Sequence, residues 1–154
     1  MSEQLSGREL DKAIALALGY TARWIDWKSA HHSGVDGMYA LHDPQGKQAM
    51  EGHENENEAW FTPRSPGRTV YVPAFHADAN AVIDVCAARG WELRYELDHS
   101  EEVTSYVAWV ETDEMRPDRY GRLTNEYDGR SAKSWQEAAA RALLAALTAE
   151  AAQP

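Results

Sequence analysis

The sequence predicts an α/β protein of the α+β kind: a three-layer α-β-α sandwich, with an antiparallel or mixed sheet of about four to five strands and three main helices. Three observations predict it. Two capping boxes, Ser6-Gly7-Arg8-Glu9 and Ser134-Trp135-Gln136-Glu137, each open an apolar-striped helix. Between them, Thr69 to Glu111 reads as a strand, a proline, a helix, a glycine and a two-stranded hairpin. The hairpin carries aromatic and aliphatic residues on both faces, so helices can cover both.

In chain order, the first helix is expected at about 7–18. Leu5 and Leu10 sit at the two positions of a hydrophobic staple, and Leu10, Ala13, Ile14, Ala17 and Leu18 recur at helical spacing. Gly19 stands where positive φ costs little. Residues 20–72 form an irregular strand and loop region. Arg23–Trp27 and Gly37–His42 are its strand candidates, and the acidic stretch Gln48–Glu58 is expected to be a mobile loop. Ala59-Trp60-Phe61-Thr62 reads as a brief strand, followed by a turn through Pro63 and Pro66.

Thr69–Val72 is expected as a strand stopped by Pro73. A helix follows at about 77–89, with His76 as N-cap, Ala79, Val82, Ile83 and Cys86 as its stripe, and Gly90 beyond its end. Trp91, Leu93, Tyr95 and Leu97 alternate with Glu92, Arg94 and Glu96, and Val103–Glu111 returns as the hairpin's second strand, so the hairpin spans 91–111. Residues 112–133 show no period and read as a long loop. The last helix is expected at 135–149, with Ala140, Leu143, Leu144 and Leu147 inward. No repeat divides the chain, and 154 residues are most simply one domain.

Bulk composition limits the partners. The formal net charge of −10 comes from 25 acidic and 15 basic side chains, a field that repels duplex nucleic acid. No apolar run approaches the ~20 residues of a membrane helix, and the first residues lack a signal-peptide core. One cysteine, Cys86, fits a reducing, cytoplasmic compartment. Six tryptophans and seven tyrosines supply amphipathic rings for a core or a binding surface.

The ends of the chain and its centre resemble the phage ABA sandwich domain family of small phage and prophage proteins. The likeness rests on Leu5-Ser6-Gly7-Arg8-Glu9-Leu10-Asp11 opening a helix that closes in Leu18-Gly19-Tyr20, on Pro73-Ala74-Phe75-His76-Ala77-Asp78, on Gly90-Trp91, and on the Ala/Leu-rich last helix. It implies the α/β/α fold and a phage protein working in the host cytoplasm, and no activity. The chain departs from the family pattern at Phe75-His76, where Tyr-Ser is usual, and in its arginine-bearing segment 112–130.

Candidate chemistry is sparse. No nucleophile elbow, phosphate-binding glycine loop, dinucleotide fingerprint or zinc-protease motif occurs, so an enzyme is not expected. His31, His32, His42 and His53 share one region, but their spacing fits no closed metal site, and neither metal nor cofactor is expected. His76, beside a helix start, could meet an anion or act simply as a cap. Arg64 and Arg68 bracket a Ser-Pro-Gly turn beside Trp60 and Phe61, while Arg116, Arg119 and Arg122 flank Tyr120. Guanidinium forks bind phosphate and aromatic faces stack on bases. If those loops meet, they could hold a phosphorylated, base-containing molecule; the competing reading pairs the arginines with surface carboxylates.

The expectation is therefore a non-enzymatic binding protein that sequesters a nucleotide messenger of host antiviral defence, as several small phage α/β proteins do. The alternative is an acidic module that binds and inhibits a host protein. A small phage enzyme stands third. By the same likeness a homo-oligomer is expected.

Overall fold

A computed structural model describes residues 5–26, 37–49, 52–61, 70–99, 104–118 and 120–152. The element order is α1 (Gly7–Leu18), β1 (Thr21–Asp26), β2 (Gly37–His42), α2 (Glu56–Phe61), α3 (Ala79–Arg89), β3 (Glu92–His99), β4 (Thr104–Pro117), β5 (Leu123–Ser131) and α4 (Trp135–Ala151). The class is α+β: four helices with antiparallel sheets of two and three strands, each smaller than the sheet expected. The chain forms two compact units, Met1–Ala17 with Pro73–Pro154, and Leu18–Val72.

In the first unit the sheet has the order β3-β4-β5. One of its faces packs on a helix. Tyr106, Ala108 and Val110 of β4 share that face with Tyr95 of β3 and with Tyr127, Gly129 and Ser131 of β5. α4 lies along it, burying Ala138, Ala139, Ala142, Leu143, Ala146 and Leu147. Gly129 permits the close approach, because a Cβ there would meet the Ala138 carbonyl and the Ala142 amide of α4. Trp135 closes the end of the layer, with the rings of Tyr95 and Tyr106 edge-on at 5.1 and 5.0 Å. The opposite face holds the buried Val107 and the half-buried Trp109 among charged side chains. Across it Arg94 reaches Glu126 at 2.8 Å, and Arg130 reaches Asp98 at 2.6 Å.

The segment expected as a long loop, 112–133, is mostly strand: the end of β4, the whole of β5 and the turn between them. Its period is hidden for two reasons. β4 takes more residues than β5 between the pairs Glu111–Glu126 and Arg116–Thr124, a bulge that breaks alternation. And β5 is an edge strand whose inner positions include a glycine and a serine instead of large apolar residues.

α1 buries Leu10, Asp11, Ile14 and Ala15, so its inner face is turned from the expected stripe toward Asp11. α3 starts two residues later than expected. Asp78, not His76, is its N-cap, and the carboxylate accepts the Asn80 amide. Gly90 ends it at φ 73, with the Trp91 amide returning to the Cys86 carbonyl at 2.9 Å.

The second unit is the β1–β2 hairpin with α2 against it. The stretch expected as a mobile loop instead tracks β2, through bridges of Gln48 to His42 and His53 to Tyr39. Trp60 lies in α2, not in a strand. Asn55 caps that helix through the Asn57 amide at 2.8 Å, and Glu56 and Glu58 favour its positive N-terminal end. Val70 and Val72 are buried, but residues 70–72 belong to no strand.

Cys86, 2 % exposed on α3, shows what burial does to an ionisable group. Burial pushes its thiol from the ordinary 9.0 up to about 11, against the opposing pull of Arg89. Burial also raises Tyr20 and Tyr95. The unfolded thiol ionises first, so this contribution to stability is whole below pH 9.0 and is lost as pH rises through about 11. Urea midpoints are expected to fall across that window, and to fall less in Cys86→Ala. A flat wild-type profile would contradict the assignment.

Candidate functional site

The first unit holds a cavity of about 480 Å³ lined by Ser6, Gly7, His76, Ala77, Lys133, Ser134, Gln136 and Glu137. Two helix starts place it. Ser6 precedes the start of α1 and Ser134 caps α4, so the N-terminal turns of two helices border one space. Helix N-termini present amide donors and the positive end of the backbone dipole. Lys133 adds a formal charge to the same lining.

His76 stands between the two helix starts on the turn that precedes α3, where the Ala77 and Asp78 amides both return to the Ala74 carbonyl. Asp11, 1 % exposed on α1, holds it twice: Oδ1 accepts the His76 amide and Oδ2 meets Nδ1, both at 2.8 Å. An ionised carboxylate only accepts, so Nδ1 carries the proton and Nε2 is the nitrogen left for a ligand. The result is a pre-oriented ring whose Nε2 donates to an anion when it carries a proton.

The carboxylate in the lining, Glu137, is already engaged. Glu137 is 5 % exposed, accepts the Ser131 hydroxyl at 3.0 Å, and pairs with Arg141 at 3.1 Å. Ser131 in turn accepts the Lys133 and Ser134 amides at 2.9 and 3.3 Å, which fixes the turn presenting Lys133. Lining volume and chemistry fit a small anion with a polar body.

Of the expected site residues, His76 lines this cavity, and Arg116, Tyr120 and Arg122 do not. Arg116, Tyr120 and Arg122 lie at the far end of the β4–β5 hairpin, whereas Lys133 follows the near end of β5. β5 runs Leu123–Ser131, so at ~3.3 Å per residue the two places are roughly 26 Å apart. Arg116 is buried, its Nη2 paired with Glu114 at 3.0 Å, and its Nε and Nη1 meet no acceptor. Arg122 lies over the Tyr120 ring at 5.3 Å with Nε 3.5 Å from Asp118. For both arginines the carboxylate-pairing reading describes the contacts found. Trp60 is 2 % exposed within α2 and offers no stacking face. Arg64, Arg68 and Arg119 lie outside the described residues, as do His31 and His32.

Sequence reasoning reached His76 and missed Asp11, Ser6, Lys133 and Gln136. Both helix starts were visible as capping boxes; that they border a common cavity was not. Among the described residues no group of three or more His, Cys, Asp or Glu side chains could hold a metal ion. No described helix is long and apolar enough to cross a membrane. No family model, no curated protein and no solved structure matches the chain.

Proposed function

We propose that the protein is a non-enzymatic binder of a phosphorylated small molecule, and that its role is to sequester a nucleotide messenger. The observation that carries the reading is the His76–Asp11 pair, which presents one imidazole nitrogen to a cavity shared by Lys133 and two helix N-termini. That set supplies donors and positive charge and leaves no uncompensated carboxylate in the lining, the combination a phosphoryl group requires. The likeness to small phage α/β proteins directs the choice of messenger toward those made by host antiviral systems. The ligand's phosphate meets His76 and Lys133, and its polar body fills the remaining space.

The test is retention. The purified full chain is incubated with cyclic and ADP-ribose-derived nucleotides, and with inorganic phosphate as the minimal probe. Unbound material is removed, and the protein is heated to release what it kept. Intact nucleotide is expected. His76→Ala should weaken retention by about tenfold or more, because a hydrogen bond to a charged group contributes roughly 1.5–3 kcal/mol. Lys133→Ala should weaken it less, and Arg122→Ala should leave it unchanged. A cleaved product would make the protein an enzyme; no retention of any probe would end the reading.

A further inference from the structure

The two edges of the β3-β4-β5 sheet differ. At the β5 edge Arg141 covers the backbone: its Nη1 donates to the Arg130 carbonyl at 2.6 Å and its Nε to the Leu5 carbonyl at 3.2 Å. A bulge also breaks the β4–β5 pairing. β3 has neither device. Its eight residues, Glu92–His99, pair with β4 in unbroken register and include no glycine or proline. Among the described residues no hydrogen bond reaches its outer edge. A long, regular strand with a free row of amides and carbonyls is a template for another strand.

The side chains of β3 say which strand. Leu93, Tyr95 and Leu97 lie on the face that packs on α4, where Tyr95 and Leu97 remain 44 and 41 % exposed. Arg94 and Glu96 lie on the other face, both exposed. Read outward from Tyr95 the strand is its own complement, with a leucine two residues away on each side, an arginine just before and a glutamate just after. We infer that β3 pairs antiparallel with β3 of a second copy of this chain, about a two-fold axis at Tyr95, joining two three-stranded sheets edge to edge. In that register Tyr95 meets itself, Leu93 meets the partner's Leu97, and Arg94 meets the partner's Glu96, each pair made twice by symmetry. Arg94 holds Glu126 and Glu111 through Nη2 alone, so its other donors are left for the partner's Glu96. The end pair sets Glu92 against the partner's Asp98, but Asp98 is already held by Arg130 at 2.6 Å. Other registers are worse. An axis at Glu96 or at Arg94 would oppose like charges at the centre, and a one-residue slip would set the leucine face against the charged one. A foreign strand would need the same alternation, which a second copy always supplies. A contact of one strand per copy falls below the ~1,200 Å² of standard interfaces, so the dimer is weak and concentration-dependent.

Cross-linking tests the register. Opposed residues of an antiparallel pair have Cα atoms about 4.5–5.5 Å apart, a span a disulfide bridges. Under mild oxidation the full chain carrying Tyr95→Cys should cross-link to a dimer. Leu97→Cys, opposite Leu93, should not, nor should the wild type, whose Cys86 is buried. Sedimentation velocity over a micromolar series tests the charges, with a monomer–dimer equilibrium expected for the wild type. Arg94→Glu and Glu96→Arg should each raise its dissociation constant about tenfold or more, with the far-UV circular dichroism unchanged. An equimolar mixture of the two should dimerise again, because unlike charges then oppose in both pairs. A wild type that stays monomeric throughout, equal cross-linking in Leu97→Cys and Tyr95→Cys, or a mixture no tighter than its components would each overturn the inference. No residue of β3 lines the cavity, so the dimer stands apart from the nucleotide reading.

Discussion

Gly129→Ala is expected to lose about 3 kcal/mol of stability, a large share of the roughly 5–15 kcal/mol a domain has. The reason is space. Gly129 faces α4 from β5, and its missing Cβ would meet the Ala138 carbonyl and the Ala142 amide, with Arg141 Cβ at 2.8 Å. A flexible side chain could swing aside, but helix backbone cannot. α4 would have to lift from the sheet and expose part of the layer built on Ala138, Ala142 and Leu143. The general gain from replacing glycine by alanine, roughly 0.4–1 kcal/mol through the unfolded chain, is too small to offset this. Gly90→Ala is the control: nothing lies within 4 Å of its Cβ, so only the positive φ of 73 is strained, at about 1 kcal/mol. Thermal melts should therefore separate the two variants, with Gly129→Ala lower by roughly 10 °C than the wild type. Equal midpoints for the two would show that α4 does not press on β5 as described.

Asp11→Ala is the second large effect, and it touches both fold and site. The substitution removes a buried acceptor and leaves the His76 amide and Nδ1–H unsatisfied. Each unsatisfied donor costs about 1–3 kcal/mol, so a total near 3 kcal/mol is expected, read as a lower urea midpoint at unchanged slope. Asp11→Asn keeps an acceptor for the amide and should lose less, about 1 kcal/mol. Neither variant keeps the carboxylate oxygen that orients the His76 ring through Nδ1. Both are therefore expected to lose nucleotide retention while every residue lining the cavity stays in place. Full stability in Asp11→Ala would mean the carboxylate is not the anchor of His76.

The legible parts of the fold are those whose signals are local. Ser134 caps α4 at the residue the capping box names, accepting the Glu137 amide at 3.1 Å, and Gly90 ends α3 in the left-handed region. The β3–β4 pairing follows the alternation read from Trp91 to Leu97 and from Val103 to Glu111. The end of β4 and the whole of β5 were not legible. Leu123–Ser131 is polar because one face of an edge strand is wet, and Gly129 is small because a helix lies on it. A sequence scan reads both properties as loop. Asp11 was hidden in the same way: an acid on a helix reads as surface until its partner, 65 residues on, is brought to it.

By itself the sequence determined the class, α1, the end of α3, the start of α4 and the β3–β4 pairing, because caps, glycines and periodicity act between near neighbours. Only the tertiary structure decided what those pieces enclose. It brought two helix starts, Lys133 and the Asp11-held His76 around one cavity, and it set Arg116 and Arg122 at the far end of β5. Contacts of that kind join residues far apart in the chain, and their cost and gain depend on burial, which no single stretch of sequence carries.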